Sequence, residues 1–191
     1  FGFFGLIEHW VDVDLIAQTA SLRPQYSLVL IGESRIRVDK LRSVPNVHLL
    51  GRRPYEQLPG YCAAFQAGLL PFRLTKMTQA VNPIKLHEYL AAGLPVIGTS
   101  IPEAKRYGDR VRIADTAEEF ADACDATGAL SFEMRAAVSQ SVEDQTWQAR
   151  VSTLSDLVMA YVNGRPRTQV ADKVPTRVDR PRAVDVAKSH R

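Results

Sequence analysis

The stretch from Ala80 to Thr99, AVNPIKLHEYLAAGLPVIGT, holds the residues with the clearest chemical potential. Asn-Pro opens a helical pattern, Gly-Leu-Pro closes it, and a short β run follows. Asn82 is expected to cap this helix, with Pro83 at its first position, where a missing amide costs nothing. The amides of Ile84, Lys85 and Leu86 then point out of the helix start, where the dipole favours an anion. Lys85 adds a full positive charge in the same turn. Glu88 stands five residues past Pro83, about 7.5 Å along the axis. That is the depth at which a ribose would lie if its diphosphate sat at the helix start, and a carboxylate can accept from both ribose hydroxyls. Lys85 and Glu88 are also an i,i+3 pair, so a plain surface ion pair explains the spacing equally well.

Other candidate groups carry less. Gly2 and Gly5 in FGFFG are part of a G-x-G-x-x-G fingerprint, and Glu33 stands where a dinucleotide fold places its ribose-binding acid. This keeps an NAD-dependent oxidoreductase as an alternative, although the three-glycine turn is incomplete and the first helix starts only at Asp12. Asp12 and Asp14 form a D-x-D, but at a helix start they read as a cap and a first-turn charge. His9, His48, His87 and His190 are scattered, and no His/Cys/Asp/Glu spacing marks a metal site. No Ser or Cys has a nucleophile context.

These residues need a scaffold. Apolar runs at 1–4, 26–32, 46–51, 67–72, 94–99 and 110–115 alternate with helical patterns at 13–22, 37–42, 55–65, 83–92 and 117–126. Further helical patterns at 132–140 and 144–162 have no strand between them and read as a helical ending packed back across the sheet. Short continuous apolar runs separated by such helices predict an α/β fold with a doubly wound, Rossmann-like parallel sheet. Ligands in such sheets bind beyond the carboxyl ends of the strands. The loops to watch are therefore 5–10, 32–34, 51–54, 72–82 and 98–101.

The chain has 191 residues, 46% hydrophobic and 24% charged, ordinary values for a globular protein. No apolar run approaches the roughly 18 residues that a membrane span needs. The net charge of +3 divides unevenly. Residues 163–191 hold eight Lys/Arg and three Asp, a net of +5, which leaves −2 on residues 1–162. The body is thus not basic, which argues against a nucleic-acid partner. The tail lacks aromatics and period and reads as disordered, either a solubilising segment or a peripheral contact for an anionic membrane. Cys62 and Cys124 sit in apolar helical patterns and read as small buried hydrophobes, which fits a cytoplasmic setting. The chain opens on Phe1 inside a strand pattern, as a fragment with its N-terminal portion missing would.

NPIKLHEYLAAGLPVIGT closely resembles the nucleotide-sugar-binding segment of retaining GT-B glycosyltransferases of the large family four type. FGFFGLIEHWVDVDLI, SVPNVHLLGRRPYEQLPGYCAAFQAGLLPFR and TSIPEAKRYGDRVRIAD resemble further segments of that family in order, so that the likeness covers residues 1–162. The resemblance implies a C-terminal, donor-binding domain, with the acceptor domain preceding it. It implies transfer of a sugar from a nucleotide diphosphate donor, with retention and without a metal or other cofactor. Acceptors in the family range from lipid carriers and polysaccharides to small metabolites, and sugar, base and acceptor stay open here.

By the same resemblance, Glu88 matches the second acid of the E-x7-E motif, associated with the donor ribose. Lys85 and the amides around Asn82 match the region facing the diphosphate, and Gly5 the glycine loop beside it. Arg52 matches a region that contacts the base through backbone groups. Arg73 is a further diphosphate candidate by charge and loop position. Two departures stand out: Ala80 occupies the place of the first acid, and Leu6 the place of an expected Arg. The catalytic groups are therefore unassigned, and phosphate stabilisation is expected from Arg73, Lys76 and Lys85. A catalytically inactive interaction module with this fold is the other alternative.

Overall fold

A computed structural model describes residues 1–163. The expected tail falls almost wholly outside the described residues. In chain order the elements are β1 (Gly2–Phe4), α1 (Val13–Leu22), β2 (Leu28–Ile31), α2 (Asp39–Arg42) and β3 (Val47–Gly51). There follow α3 (Leu58–Ala64), β4 (Gly68–Leu70), α4 (Ile84–Ala91), β5 (Val96–Gly98), α5 (Pro102–Lys105) and β6 (Val111–Ile113). Helices α6 (Ala117–Asp125) and α7 (Phe132–Gln140) complete the first unit, residues 1–144.

The six strands form one sheet in the order β3-β2-β1-β4-β5-β6, every pairing parallel. The chain runs outward from β1 through β2 to β3, then crosses back to β4 and continues the other way. The strand order therefore reverses between β1 and β4, the place where such sheets open a ligand crevice. Central strands are buried on both faces, as in Phe3, Leu30, Leu70 and Val96, which explains their unbroken apolar sequences.

Helix α1 packs against α2 and α6, while α4 packs against β4, β5 and α7. Gly2 and Gly68 are register partners on β1 and β4, so any side chains would leave the same face of the sheet. The Phe65 ring lies where a Gly2 Cβ would stand, and the Tyr89 ring where a Gly68 Cβ would stand. Two small residues in register thus let the ends of α3 and α4 settle directly on the strands.

Local chemistry sets the helix boundaries. Asp12 caps α1 by accepting from Leu15 N at 3.1 Å. Thr116 and Glu119 form a reciprocal capping box at α6, and Ser131 caps α7. The helix around 55–65 opens as a 3-10 turn at Tyr55–Gln57 before α3 proper. Helix α5 is an addition to the expected elements. Cys62 and Cys124 are buried and free, as expected, and burial pushes their thiols up to about 11 and about 12.

Residues 145–163 belong to the second unit. Its helix α8 (Trp147–Val162) is capped by Thr146, which accepts from Ala149 N. No described helix is long and apolar enough to cross a membrane.

Candidate donor-binding site

At the carboxyl ends of β1, β2 and β3 the backbone ladder continues past the strands. Gly5 N donates to Ile31 O at 2.8 Å, Gly32 N to Gly51 O at 2.9 Å, and Ile7 N to Glu33 O at 2.9 Å. The turns at Gly5 and Gly32 nest closely. Gly32 has φ of 151°, and a Cβ on it would collide with the carbonyl oxygen of Gly5. Gly5 has φ of 127°, and its own Cβ would collide with the Lys85 side chain. Both positions need glycine for conformation and for space.

Above these turns lies an open cleft of about 310 Å³, which Gly5, Arg52, Lys85 and Glu88 line together with Glu33 and Tyr55. Three of the five loops expected at the strand ends meet the start of α4 here. Tyr89, fully buried, locks that arrangement: its hydroxyl accepts from Phe4 N at 3.1 Å, and its ring meets Phe4 edge-on at 4.7 Å.

The start of α4 differs from the expected cap. Pro83, with extended backbone at φ −75° and ψ 119°, is the capping residue, and no side chain caps the helix. Asn82 instead points its Oδ1 at Nε2 of His87, 2.9 Å away, and does not line the cleft. Leu86 N is taken by Pro83 O at 3.0 Å, so Ile84 and Lys85 carry the amides left without a protein acceptor among the described residues. The start of α4 thus offers one free amide fewer than expected.

Lys85 lies along Gly5, its ammonium 5.8 Å from the centre of the Phe3 ring. Burial holds its pKa below the ordinary lysine value, and the nearby Glu88 opposes that shift. Lys85 and Glu88 do not approach within ion-pair distance. Glu88 accepts instead from the Tyr55 hydroxyl, 3.1 Å from its Oε1. The charge of Glu88 raises the Tyr55 pKa, which keeps the phenol a donor.

Arg73 does not line the cleft. Its guanidinium lies 3.5 Å from Asp12 and 3.7 Å from Asp14, and Asp14 also takes Lys40 at 2.6 Å. The D-x-D carboxylates are thereby occupied as cap and ion-pair partners. Ala80, itself exposed, ends a 3-10 turn that starts at the buried Thr78, and Lys76 is exposed nearby. Arg53 and Tyr55 were not singled out by the sequence. The only signal for Tyr55 is its place just past Arg53-Pro54 in a strand-end loop.

Known proteins share the fold. The chain is 32% identical over 109 residues to a Bacillus subtilis (strain 168) protein, TuaH, whose name assigns it provisionally to teichuronic acid biosynthesis as a glycosyltransferase. That match takes in 55% of the chain and spans only 28% of the relative's length. The catalytic domain of a cholesterol-α-glucosyltransferase from Helicobacter pylori superposes with a TM-score of 0.60 at 11% identity, over 76% of this chain and 99% of that one. An O-GlcNAc transferase mutant of Thermobaculum terrenum gives 0.54 at 18% identity, over 91% of this chain and 36% of that one. The fold is thus that of GT-B glycosyltransferase domains. Residues 1–127 match the family described as Glycosyl transferases group 1, to which this chain belongs.

Proposed function

We propose that the protein transfers a sugar from a nucleoside diphosphate donor, with retention of anomeric configuration in the manner of the family four enzymes, and that this chain is the donor-binding part. The observation that carries the reading is the convergence of Gly5, Lys85 and Glu88 on one cleft at the reversal point of the sheet.

In this reading the diphosphate rests against the Gly5 turn and the free amides of α4, with Lys85 beside it. Glu88 takes the ribose hydroxyls, and the loop at Arg52 meets the base. When the bond between the anomeric carbon and the diphosphate oxygen breaks, negative charge grows on the leaving group. Fixed donors at Lys85 and the α4 amides lower the cost of that charge. The scheme assigns no role to a metal. The acceptor, a glycan, a lipid-linked sugar or a small molecule, is held by protein outside this chain. A cytoplasmic enzyme, peripheral at the inner face of a membrane through its basic tail, fits such acceptors.

Glu33 also lines the cleft, which is the feature an NAD-binding alternative would use. Family membership favours the sugar nucleotide. A thermal-shift panel of UDP, GDP, ADP, CMP and NAD(H) tests the reading, since a ligand that binds the folded state raises its Tm by mass action. A diphosphate nucleotide is expected to give the largest rise. A rise with NAD(H) alone, or with none of them, overturns the proposal. If the nucleotide binds but the whole protein transfers no sugar, the inactive-module alternative holds.

A further inference from the structure

Tyr55 and Glu88 are 33 residues apart and reach each other from different elements. Tyr55 opens the 3-10 turn that leaves β3, directly after Pro54, whose ring fixes the approach of the backbone. The residue is 67% exposed, and its hydroxyl donates to Glu88. Both residues line the cleft, and both also line the adjoining pocket of about 300 Å³ beside Leu58, Cys62 and Ala91. An exposed hydrogen bond contributes little to stability. Its place at the divide between two cavities gives it another use.

A glutamate turns about three side-chain torsions, so an untethered carboxylate must be ordered before it can grip a diol. The Tyr55 hydroxyl removes that freedom by holding Oε1. A carboxylate has about four lone-pair positions, so one neutral donor leaves Oε2 and part of Oε1 for other hydroxyls. We propose that Tyr55 is a positioning residue that sets Glu88 for a ribose diol and thereby lets the cleft distinguish ribonucleotides from 2′-deoxyribonucleotides. This rests on the donor reading above and adds to it a residue and a selectivity.

The test is calorimetric titration of the full chain with UDP and GDP and with their 2′-deoxy counterparts, using the parent, Tyr55→Phe, Glu88→Ala and the double variant. Tyr55→Phe should weaken the ribonucleotide by about three- to tenfold, the range of one hydrogen bond. The deoxynucleotide should change much less, so the ratio between the two sugars falls. In the Glu88→Ala background, Tyr55→Phe should add nothing. The proposal is overturned if Tyr55→Phe keeps the parent's ratio, or if the two single losses simply add. Loss of ribonucleotide binding in Glu88→Ala with a normal Tyr55→Phe sinks this inference alone. A parent that binds neither UDP nor GDP removes the donor reading and this inference together.

Discussion

The hydroxyl of Tyr89 accepts the amide of Phe4 across 3.1 Å in the interior, joining helix α4 to the end of strand β1. Both residues are buried, so the amide depends on this hydroxyl. Tyr89→Phe keeps the ring packed on Phe4 but leaves a buried N–H without a partner. The expected loss is about 1–3 kcal/mol of stability. Urea denaturation should show a lower midpoint with an unchanged slope.

Glu88→Ala removes the carboxylate from the cleft without touching the sheet. Nucleoside diphosphate affinity should fall by about 1.5–3 kcal/mol, the value of a hydrogen bond to a charged group. Calorimetry on folded protein measures this directly. Arg73→Ala serves as the contrast, since Arg73 pairs with Asp12 and Asp14 and does not line the cleft. A larger affinity loss from Arg73→Ala than from Lys85→Ala would return Arg73 to the diphosphate site.

Lys85 predicts a pH dependence. Its folded pKa lies below the unfolded value of 10.5, because burial disfavours the ammonium. Between the two values the unfolded chain binds more protons, so stability from this group rises with pH across that window. At neutral pH the charged side chain is a burden, and Lys85→Met should be more stable than the parent, with the gap closing as pH approaches 10.5. Diphosphate binding should run the opposite way and weaken as Lys85 loses its proton. Denaturation and calorimetry at matched pH values separate the two trends.

Gly5→Ala forces a side chain onto a backbone at φ of 127° and into the Lys85 stem. Strain of this kind costs about 1–3 kcal/mol. Thermal unfolding should show the loss, and nucleotide titration should show a further one as Lys85 is displaced. A variant with the parent's Tm and affinity would mean that the turn relaxes freely.

The elements were legible wherever pattern and local chemistry agree. Six apolar runs became six strands, and α1 and α7 occupy the spans their periodicity marks, with Asp12 and Ser131 where caps belong. Helix α5 escaped because four residues behind a proline carry no period. Asn82 misled because its side chain had two uses, and the extended backbone of Pro83 decided for the contact with His87. The cleft residues Gly5, Lys85 and Glu88 could be chosen from spacing and resemblance. Tyr55 could not, since its partner Glu88 lies on another helix and its place just past Arg53-Pro54 does not reveal that contact. The pairing of Arg73 with Asp12 and Asp14 is likewise a product of tertiary structure, 61 and 59 positions apart in a chain that must fold before they meet.

Two glycines, Gly5 and Gly32, bring main chain to the wall of the cleft. Gly5 and Gly32 carry the sheet's own amide-to-carbonyl ladder past β1 and β2, with Gly32 N donating to Gly51 O at the end of β3. The rim is built of side chains: Arg52, Arg53 and Tyr55 stand on one connection after β3, and Leu58 opens α3 beside them. In the proposed reading, exchanging that one segment should change the base preference while leaving the Gly5, Lys85 and Glu88 end of the cleft as it is.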